Sequence, residues 1–226
     1  MRAVFRRAAP LLGCLLCLSC LTESTLYMEN VTEFATVIES QLVTDAGAAL
    51  NVTEDLSGMD WKQDGKRFLV SFDILNAQWE IRLRTLTELQ ICEPLPRDES
   101  FFPPRDPVIM GSATLSGGYL NLILGVYKAK GSKDPRIFSC EYKDFPEQQE
   151  MLLILHCDGK QENPAFMAKD ALETETAYCT IPLTTALKDI KRTLGLVYDK
   201  TATQTDGSLT IVADTLRQAG SERIGY

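Results

Sequence analysis

The chain is poor in the side chains that most often carry chemistry, and histidine is the clearest case. Its 226 residues include one histidine, His156. A single imidazole cannot build a His-rich zinc site within one chain. His156 and Cys157 are neighbours on a predicted strand, so their side chains point to opposite faces and cannot form a nucleophile–base pair. The sequence also contains no G-x-S-x-G, phosphate-binding loop or dinucleotide fingerprint. We therefore predict no enzyme activity, no metal site and no cofactor.

Positive charge is also scarce. The chain has 23 Lys and Arg against 31 Asp and Glu, which gives a formal net charge of −8. A chain of this charge repels phosphate backbones and anionic membrane surfaces, so nucleic acid is excluded as a partner. Beyond the N-terminus there is no apolar stretch of the ~20 residues that a bilayer-spanning helix needs, so no transmembrane segment is predicted.

The N-terminal residues have the pattern of a secretory signal peptide. A basic segment, 1–7, precedes an almost wholly apolar run, 8–18, and small polar residues follow at 22–24. This order predicts export, with cleavage after Ser24 and removal of residues 1–24. The predicted localisation is therefore secreted and extracellular.

Three cysteines within this segment, Cys14, Cys17 and Cys20, are each separated by two residues. Iron–sulfur and zinc proteins use this spacing, but a leucine-rich run lacks the polar frame that thiolate ligands need. A lipid-anchored Cys20 is an alternative, with Ser19 before it and Cys17 three residues back. The signal-peptide interpretation accounts for the whole segment and is preferred.

Four cysteines remain after the predicted cleavage, and an even number in an exported chain favours disulfides. Four cysteines permit three pairings, and free buried thiols are the alternative to any of them. Cys140 and Cys157 fall on sequential predicted strands joined by a loop, so we predict that they form one disulfide. The other predicted disulfide then joins Cys92 to Cys179.

Two sequons lie near the predicted mature N-terminus. Asn30-Val-Thr32 and Asn51-Val-Thr53 both match N-x-Ser/Thr without proline. They predict glycosylation at Asn30 and Asn51 in a eukaryotic host.

Hydrophobic periodicity divides the rest of the chain into two parts. Apolar residues at i, i+3, i+4, i+7 and i+11 predict an amphipathic helix over about 28–46, within an N-terminal helical segment, 25–57. From residue 58 to 226 the period is mostly two, which predicts a β-barrel-like domain. The longest alternation runs from Trp79 to Ile91, with apolar residues and threonines at the odd positions.

The predicted fold class is mainly β, a β-rich α+β protein. Seven strands in an antiparallel meander close as a barrel or pack as a sandwich, flanked by the N-terminal helix and a C-terminal helix over about 186–194 that closes at Gly195. A last strand follows near 209–212. This element order over residues 58–213 resembles that of the lipocalin family, and Gly58-Met-Asp-Trp61 stands where that family has G-x-W, with one extra residue. The resemblance implies an eight-stranded barrel whose mouth holds a small apolar ligand.

Two functions are compatible with these features. The first is a secreted glycoprotein that binds a small hydrophobic ligand in a barrel cavity. Its candidate ligand-binding residues come from the longest strand and from a proline-rich loop: Trp79, Ile81, Leu83, Phe101 and Phe102. The alternative is an extracellular protein–protein interaction module without a small ligand. An enclosed apolar cavity with an open mouth would favour the carrier, and a solid core the interaction module.

Overall fold

The computed structural model describes residues 27–97, 106–159, 168–183, 193–203 and 209–218. Within these ranges the chain is mainly β, as the alternating patterns predict, and the helical elements are two 3-10 turns of three residues each. The predicted signal peptide, 1–24, lies outside the described residues.

The first five strands form a small closed barrel with the strand order β1-β2-β3-β5-β4. In this barrel β3 runs parallel to β5, and the other neighbours are antiparallel. This is the arrangement of the OB-fold, a five-stranded Greek-key barrel. The strands are β1 Met28–Ile38, β2 Gln41–Thr44, β3 Ala49–Asp55, β4 Arg67–Ile74 and β5 Glu80–Glu88.

Alternation in β4 and β5 builds the barrel core. Phe68, Phe72, Ile81 and Leu83 each have no exposed surface. The predicted burial of odd-numbered residues in β5 holds only as far as Leu83. Beyond it the register with β4 shifts, between Ser71 and Phe72. That β-bulge inserts one extra residue in β5. The next buried side chain in β5 is therefore at an even-numbered position, Leu86.

The predicted N-terminal helix over 28–46 is wrong. These residues form β1 and β2, joined by a turn at Glu39 and Ser40. The helical spacing was coincidental: Ile38, one of the periodic apolar residues, is half exposed, whereas Val37 is buried. The segment is rich in valine, isoleucine and threonine, which are stiff at χ1 and favour strands. The boundary predicted between residues 57 and 58 falls inside the barrel.

The remaining strands form two sheets that face each other across a shared apolar core. One sheet has the order β14-β13-β11-β10-β7 and the other β6-β12-β9-β8. The strands are β6 Gln90–Ile91, β7 Pro94–Pro96, β8 Val108–Ser116, β9 Tyr119–Ala129, β10 Ile137–Phe145, β11 Glu150–Asp158, β12 Leu172–Pro182, β13 Thr193–Thr203 and β14 Leu209–Gln218.

Barrel and sandwich are thus both present, one after the other, rather than as alternatives. A barrel is confirmed, but it has five strands and lies in residues 28–88, and the described strands do not form the eight-stranded meander that the lipocalin resemblance implied. Most of the C-terminal helix predicted over about 186–194 lies outside the described residues, and its last two residues, 193 and 194, belong to β13. Gly195, predicted to close that helix, lies within β13.

The predicted disulfides are absent from the structure. All four cysteines are free thiols, and all four are buried in the sandwich: Cys92, Cys140, Cys157 and Cys179. Cys140 lies opposite Leu155, and Cys157 opposite Phe138. The two cysteines are therefore diagonal neighbours, which lie about 7–8 Å apart with their Cβ atoms somewhat closer, whereas a disulfide needs Cβ atoms about 3.5–4.5 Å apart.

The other predicted pair does lie close together, but as thiols. Cys92 follows β6, which pairs with β12 at Cys179. A hydrogen bond with Cys92 and burial both raise the pKa of the Cys179 thiol well above its ordinary value. The two side chains fill core space as small apolar groups.

We predict that these thiols are unreactive in the folded protein. Burial raises the pKa of Cys140 and of Cys157 to about 12, so almost no thiolate is present near neutral pH. For a chain that starts at Tyr27, Ellman's reagent should label no cysteine rapidly in buffer and four after denaturation. Reductant should leave the melting temperature unchanged. Fewer than four labelled cysteines, or a lower melting temperature in reductant, would show that a disulfide forms.

Candidate functional site

An open pocket of about 370 Å³ lies on the barrel, beside β2 and β3. The β1–β2 turn forms one rim and the segment that follows β3 forms the other. In OB-fold barrels the face of strands 2 and 3, together with the loop between strands 1 and 2, is the usual ligand-binding surface. The lining residues are Ser40, Gln41, Ala49, Leu50, Asn51, Val52, Thr53, Asp55, Trp61 and Lys62.

The turn at the rim has a strained backbone. Glu39 and Ser40 have φ angles of 50° and 61°, although neither is glycine. Two-residue hairpins of this type normally carry glycine or asparagine at these positions. The carboxylate of Asp64 accepts a hydrogen bond from the Ser40 N–H at 2.8 Å. This bond holds the turn, and strained residues of this kind cluster at functional sites.

The opposite wall is organised around a buried tryptophan. The indole N–H of Trp61 donates to an Asp55 oxygen at 2.8 Å, and the Ser57 hydroxyl donates to the other oxygen at 2.6 Å. Burial favours the neutral acid, but these hydrogen bonds outweigh it and hold the pKa of Asp55 below its usual range. The Lys62 ammonium lies 5.7 Å from the centre of the Trp61 ring. The wall therefore presents one negative and one positive charge beside the Trp61 ring.

Most of the residues predicted to bind a ligand do not line this pocket. Ile81 and Leu83 are fully buried in the barrel core. Trp79 is 39% exposed and directly precedes β5, with a φ of 56°. Its carbonyl accepts a hydrogen bond from the N–H of Asn51, so it supports the pocket margin through the backbone. Phe101 and Phe102 lie outside the described residues.

Both predicted glycosylation sites are exposed, and each has a further structural role. Asn51 lines the pocket, so a glycan there would stand at its mouth. Asn30 lies at a β-bulge in β1 with a φ of 55°, a conformation that asparagine tolerates better than most residues. Its backbone N–H donates to Asp73 at 3.0 Å.

Asp73 is the centre of a charged cluster on the barrel wall. Its side chain has no exposed surface, and Arg84 approaches it with Nε and Nη2, each 2.8 Å from a carboxylate oxygen. The hydrogen bond from Arg84 comes first among the causes that hold the pKa of Asp73 below its usual value, followed by the Asn30 N–H.

A depressed carboxyl pKa predicts a loss of stability in acid. The contribution is fully present above the unfolded pKa, about 3.9, and disappears as the pH falls through the lower folded pKa. We expect the difference in unfolding free energy between wild type and Asp73→Asn to be largest near pH 6 and to shrink below pH 3. Urea unfolding at several pH values measures it, and a pH-independent difference would contradict this assignment.

The single histidine has a hydrogen-bond partner at one of its ring nitrogens. His156 is 3% exposed, and its Nε2 lies 3.1 Å from a Glu141 oxygen. Within the described ranges, no three histidine, cysteine or acidic side chains converge as a metal site would require. Among the same residues, no helix is long and apolar enough to cross a membrane.

A buried polar network joins the barrel to the sandwich. Asp45, in the β2–β3 turn, accepts two hydrogen bonds from Arg67 at 2.9 and 3.0 Å. The same carboxylate accepts from Ser116 at 2.6 Å and from Asn121 at 3.2 Å, both on the β8–β9 hairpin. The side chains of Arg67 and Asp45 are 1% and 6% exposed. The ion pair therefore belongs to the barrel, and two of its partners come from the sandwich.

The guanidinium of Arg67 has further partners on both sides of the junction. It donates to Thr36 in the barrel at 2.6 Å and to Asn121 at 2.9 Å. Its carbon lies 3.6 Å from the centre of the Tyr119 ring, which makes a cation–π contact. Because Asp45 lies in the turn that connects β2 and β3, this network fixes the two strands that line the pocket.

Comparisons with known proteins give the fold and no more. No model of a known family matches the chain, and no curated protein matches it. Several solved structures have a fold similar to that of this chain. A NigD-like immunity protein from Bacteroides caccae is 22% identical, with 88% of this chain and 98% of that chain covered and a TM-score of 0.59. A putative toxin-related protein from Parabacteroides distasonis is 15% identical, with 84% and 94% covered and a TM-score of 0.56. A putative lipoprotein from Bacteroides fragilis is 12% identical, with 86% and 100% covered and a TM-score of 0.56. At these identities, what the chains share is the fold.

Proposed function

We propose that this chain is an exported protein-interaction module that binds a partner protein through the barrel face around the Trp61 pocket. The observation that carries the proposal is the contrast between this open, polar pocket and the packed interior of the barrel. A partner's side chain can enter the pocket, and the surrounding strands provide a surface on which the rest of the partner can rest.

The barrel axis is occupied by the protein's own side chains. Phe68, Phe72, Ile81 and Leu83 have no exposed surface and pack in one cluster. A carrier of a small apolar molecule needs an enclosed apolar cavity, usually of some 300–1,000 Å³. The carrier function inferred from the sequence, a secreted glycoprotein with a small hydrophobic ligand, therefore stays a hypothesis with less support than the interaction module.

Charge indicates the kind of partner. Without residues 1–24 the chain loses Arg2, Arg6, Arg7 and Glu23, so 20 Lys and Arg face 30 Asp and Glu, a net charge of −10. Glu39 lies in the rim turn, and Asp64 binds that turn, so together with Asp55 they outnumber Lys62, the lysine that lines the pocket. Such a surface attracts a basic protein and speeds its association. Among the similar structures, the description of one as an immunity protein and of another as toxin-related agrees with a role in protein recognition.

Site-specific photo-crosslinking in the native host tests this face. A photoreactive residue at Gln41, on the pocket, should capture one basic protein that mass spectrometry can identify. The matched control is the same residue at Thr85, which is exposed on β5 away from the pocket lining. The proposal requires a product at position 41 that is absent at position 85. An identical pattern at both positions, or no product at position 41, would overturn it.

The carrier hypothesis has its own test. Protein purified from its native source is extracted with organic solvent, and the extract is analysed by mass spectrometry. A stoichiometric apolar compound would favour the carrier over the interaction module.

We also propose that the chain is exported, because residues 1–24 have the pattern of a signal peptide. The expected product begins at Thr25. A product that begins at a diacylated Cys20 would instead indicate a membrane-anchored protein, and one similar structure is described as a putative lipoprotein. Mass spectrometry of the N-terminal peptide separates the two, and recovery of Met1 from mature protein would rule out both.

A further inference from the structure

A long uncharged strand lies at the edge of the four-stranded sheet. β8, Val108–Ser116, pairs with β9 on one side, and no described strand pairs with its other side. β13 of the facing sheet passes near β8 without pairing to it. An edge strand presents unpaired backbone N–H and C=O groups, which another strand can use.

The other edges carry the features that normally block such pairing. β6 has two residues, and β7 has three, of which Pro94 and Pro96 are prolines. The sequence of β14 includes Asp214 and Arg217. Short length, proline and charge are the usual means by which edges are protected. β8 has nine residues, none of them charged or proline, and its only such feature is a bulge between Met110 and Ser112.

The turn beyond β8 fixes which backbone groups face outward. Gly117 and Gly118 form a two-residue turn, so Ser116 and Tyr119 are its closing, hydrogen-bonded pair. Residues of an antiparallel pair alternate between hydrogen-bonded and non-hydrogen-bonded positions. The N–H and C=O groups of Ala113 and Leu115 therefore point away from β9, toward the open edge.

We propose that a second copy of this chain pairs antiparallel with β8 about a two-fold axis and joins the two four-stranded sheets into one. Two-fold pairing sets a strand against itself, so a charge near the axis comes close to the same charge in the partner, which is destabilising. β8 contains no charge and avoids this penalty. The pairing uses the sandwich rather than the barrel face, so it is independent of the proposed partner binding.

The association is expected to be weak. One pair of strand edges buries much less than the ~800 Å² per partner of a standard interface, so we expect a dissociation constant on the order of 100 µM. Weak pairing of this kind leaves monomers at low concentration and dimers where the protein is concentrated.

Sedimentation velocity over a concentration series, with residues 25–226, tests the proposal. The sedimentation coefficient should rise with concentration, and Ala113→Lys should weaken the association at least about tenfold. Ala113→Pro should do the same, because its lost N–H faces outward and takes part in no β8–β9 hydrogen bond. Thr85→Lys adds the same charge to the closed barrel, which has no edge, and should associate like wild type.

Circular dichroism and melting temperature confirm that each variant is folded, and hydrogen exchange identifies the surface. The amides of Ala113 and Leu115 should exchange more slowly at high than at low concentration in wild type and in Thr85→Lys, and in Ala113→Lys the amide of Leu115 should show no such change. A wild-type chain that stays monomeric to about 1 mM, tenfold above the expected dissociation constant, would overturn the proposal. Association that persists unchanged in both Ala113 variants would also overturn it, because it would arise from another surface.

Discussion

Replacing Asp45 by alanine is expected to lower the free energy of unfolding by about 3–5 kcal/mol, because it leaves the Arg67 charge buried without its counter-ion. Arg67 is 1% exposed, so water cannot take the place of the lost carboxylate without a structural change. Ser116 and Asn121 would lose an acceptor at the same time. For a chain of this length the loss corresponds to roughly 6–20 °C in melting temperature.

Two further variants separate the charge from the packing. Asp45→Asn keeps the shape but loses the charge, and should fall between wild type and Asp45→Ala. The double variant Asp45→Ala/Arg67→Met removes both charges, and it should recover part of the loss, since a buried ion pair is often replaceable by apolar side chains. Urea unfolding measures all of these. A loss below about 1 kcal/mol in Asp45→Ala would place the pair in the class of exposed salt bridges and contradict its burial.

The strand content could be predicted from the sequence because alternation is a local property. β4 and the first half of β5 follow the expected pattern of buried odd or even positions. The change of face after Leu83 could not be predicted, because a bulge depends on how two strands meet. The helix predicted over 28–46 shows the limit of periodicity: an apolar spacing of three and four residues occurred by chance in a segment whose composition favours strands.

The junction network has no local signal in the sequence, and the pocket has only an indirect one. The pocket lies in a segment whose sequence is polar and has no regular period. Its strained turn has two non-glycine residues at positions where glycine would have indicated a two-residue hairpin. The one available hint was the cluster of aspartate, serine and glycine around Trp61, which is typical of side-chain-stabilised turns. Asp45 meets Ser116 and Asn121 across 71 and 76 residues of sequence. Contacts at that separation become visible only when the relative placement of barrel and sandwich is known.

The disulfides were predicted from the compartment, which constrains redox state but not geometry. Register decided the outcome for Cys140 and Cys157, since a shift of two residues along an antiparallel pair separates side chains beyond bonding distance. Four buried thiols remain compatible with export, because a raised pKa and lack of solvent access protect them from oxidation.

Gly117→Ala is expected to cost about 3–5 kcal/mol, because it forces Asp45 away from Arg67 and so approaches the loss in Asp45→Ala. Gly117 has a φ of 56°, and a Cβ at this position would lie 2.5 Å from an Asp45 oxygen and 2.9 Å from its Cβ. The backbone strain alone accounts for only about 1–2 kcal/mol.

Gly65→Ala is the matched control for that strain. Gly65 has a φ of 84°, but a Cβ there would meet nothing within 4 Å. Gly65→Ala should therefore show the cost of the left-handed conformation without any steric contact. The difference in unfolding free energy between the two variants then measures the collision with Asp45. In an Asp45→Ala background Gly117→Ala should cost less than in wild type, because the Asp45 carboxylate is gone and only the backbone strain and the contact with the Cβ at position 45 remain. Equal losses in Gly65→Ala and Gly117→Ala, or full additivity with Asp45→Ala, would show that the β8–β9 turn does not press on the ion pair.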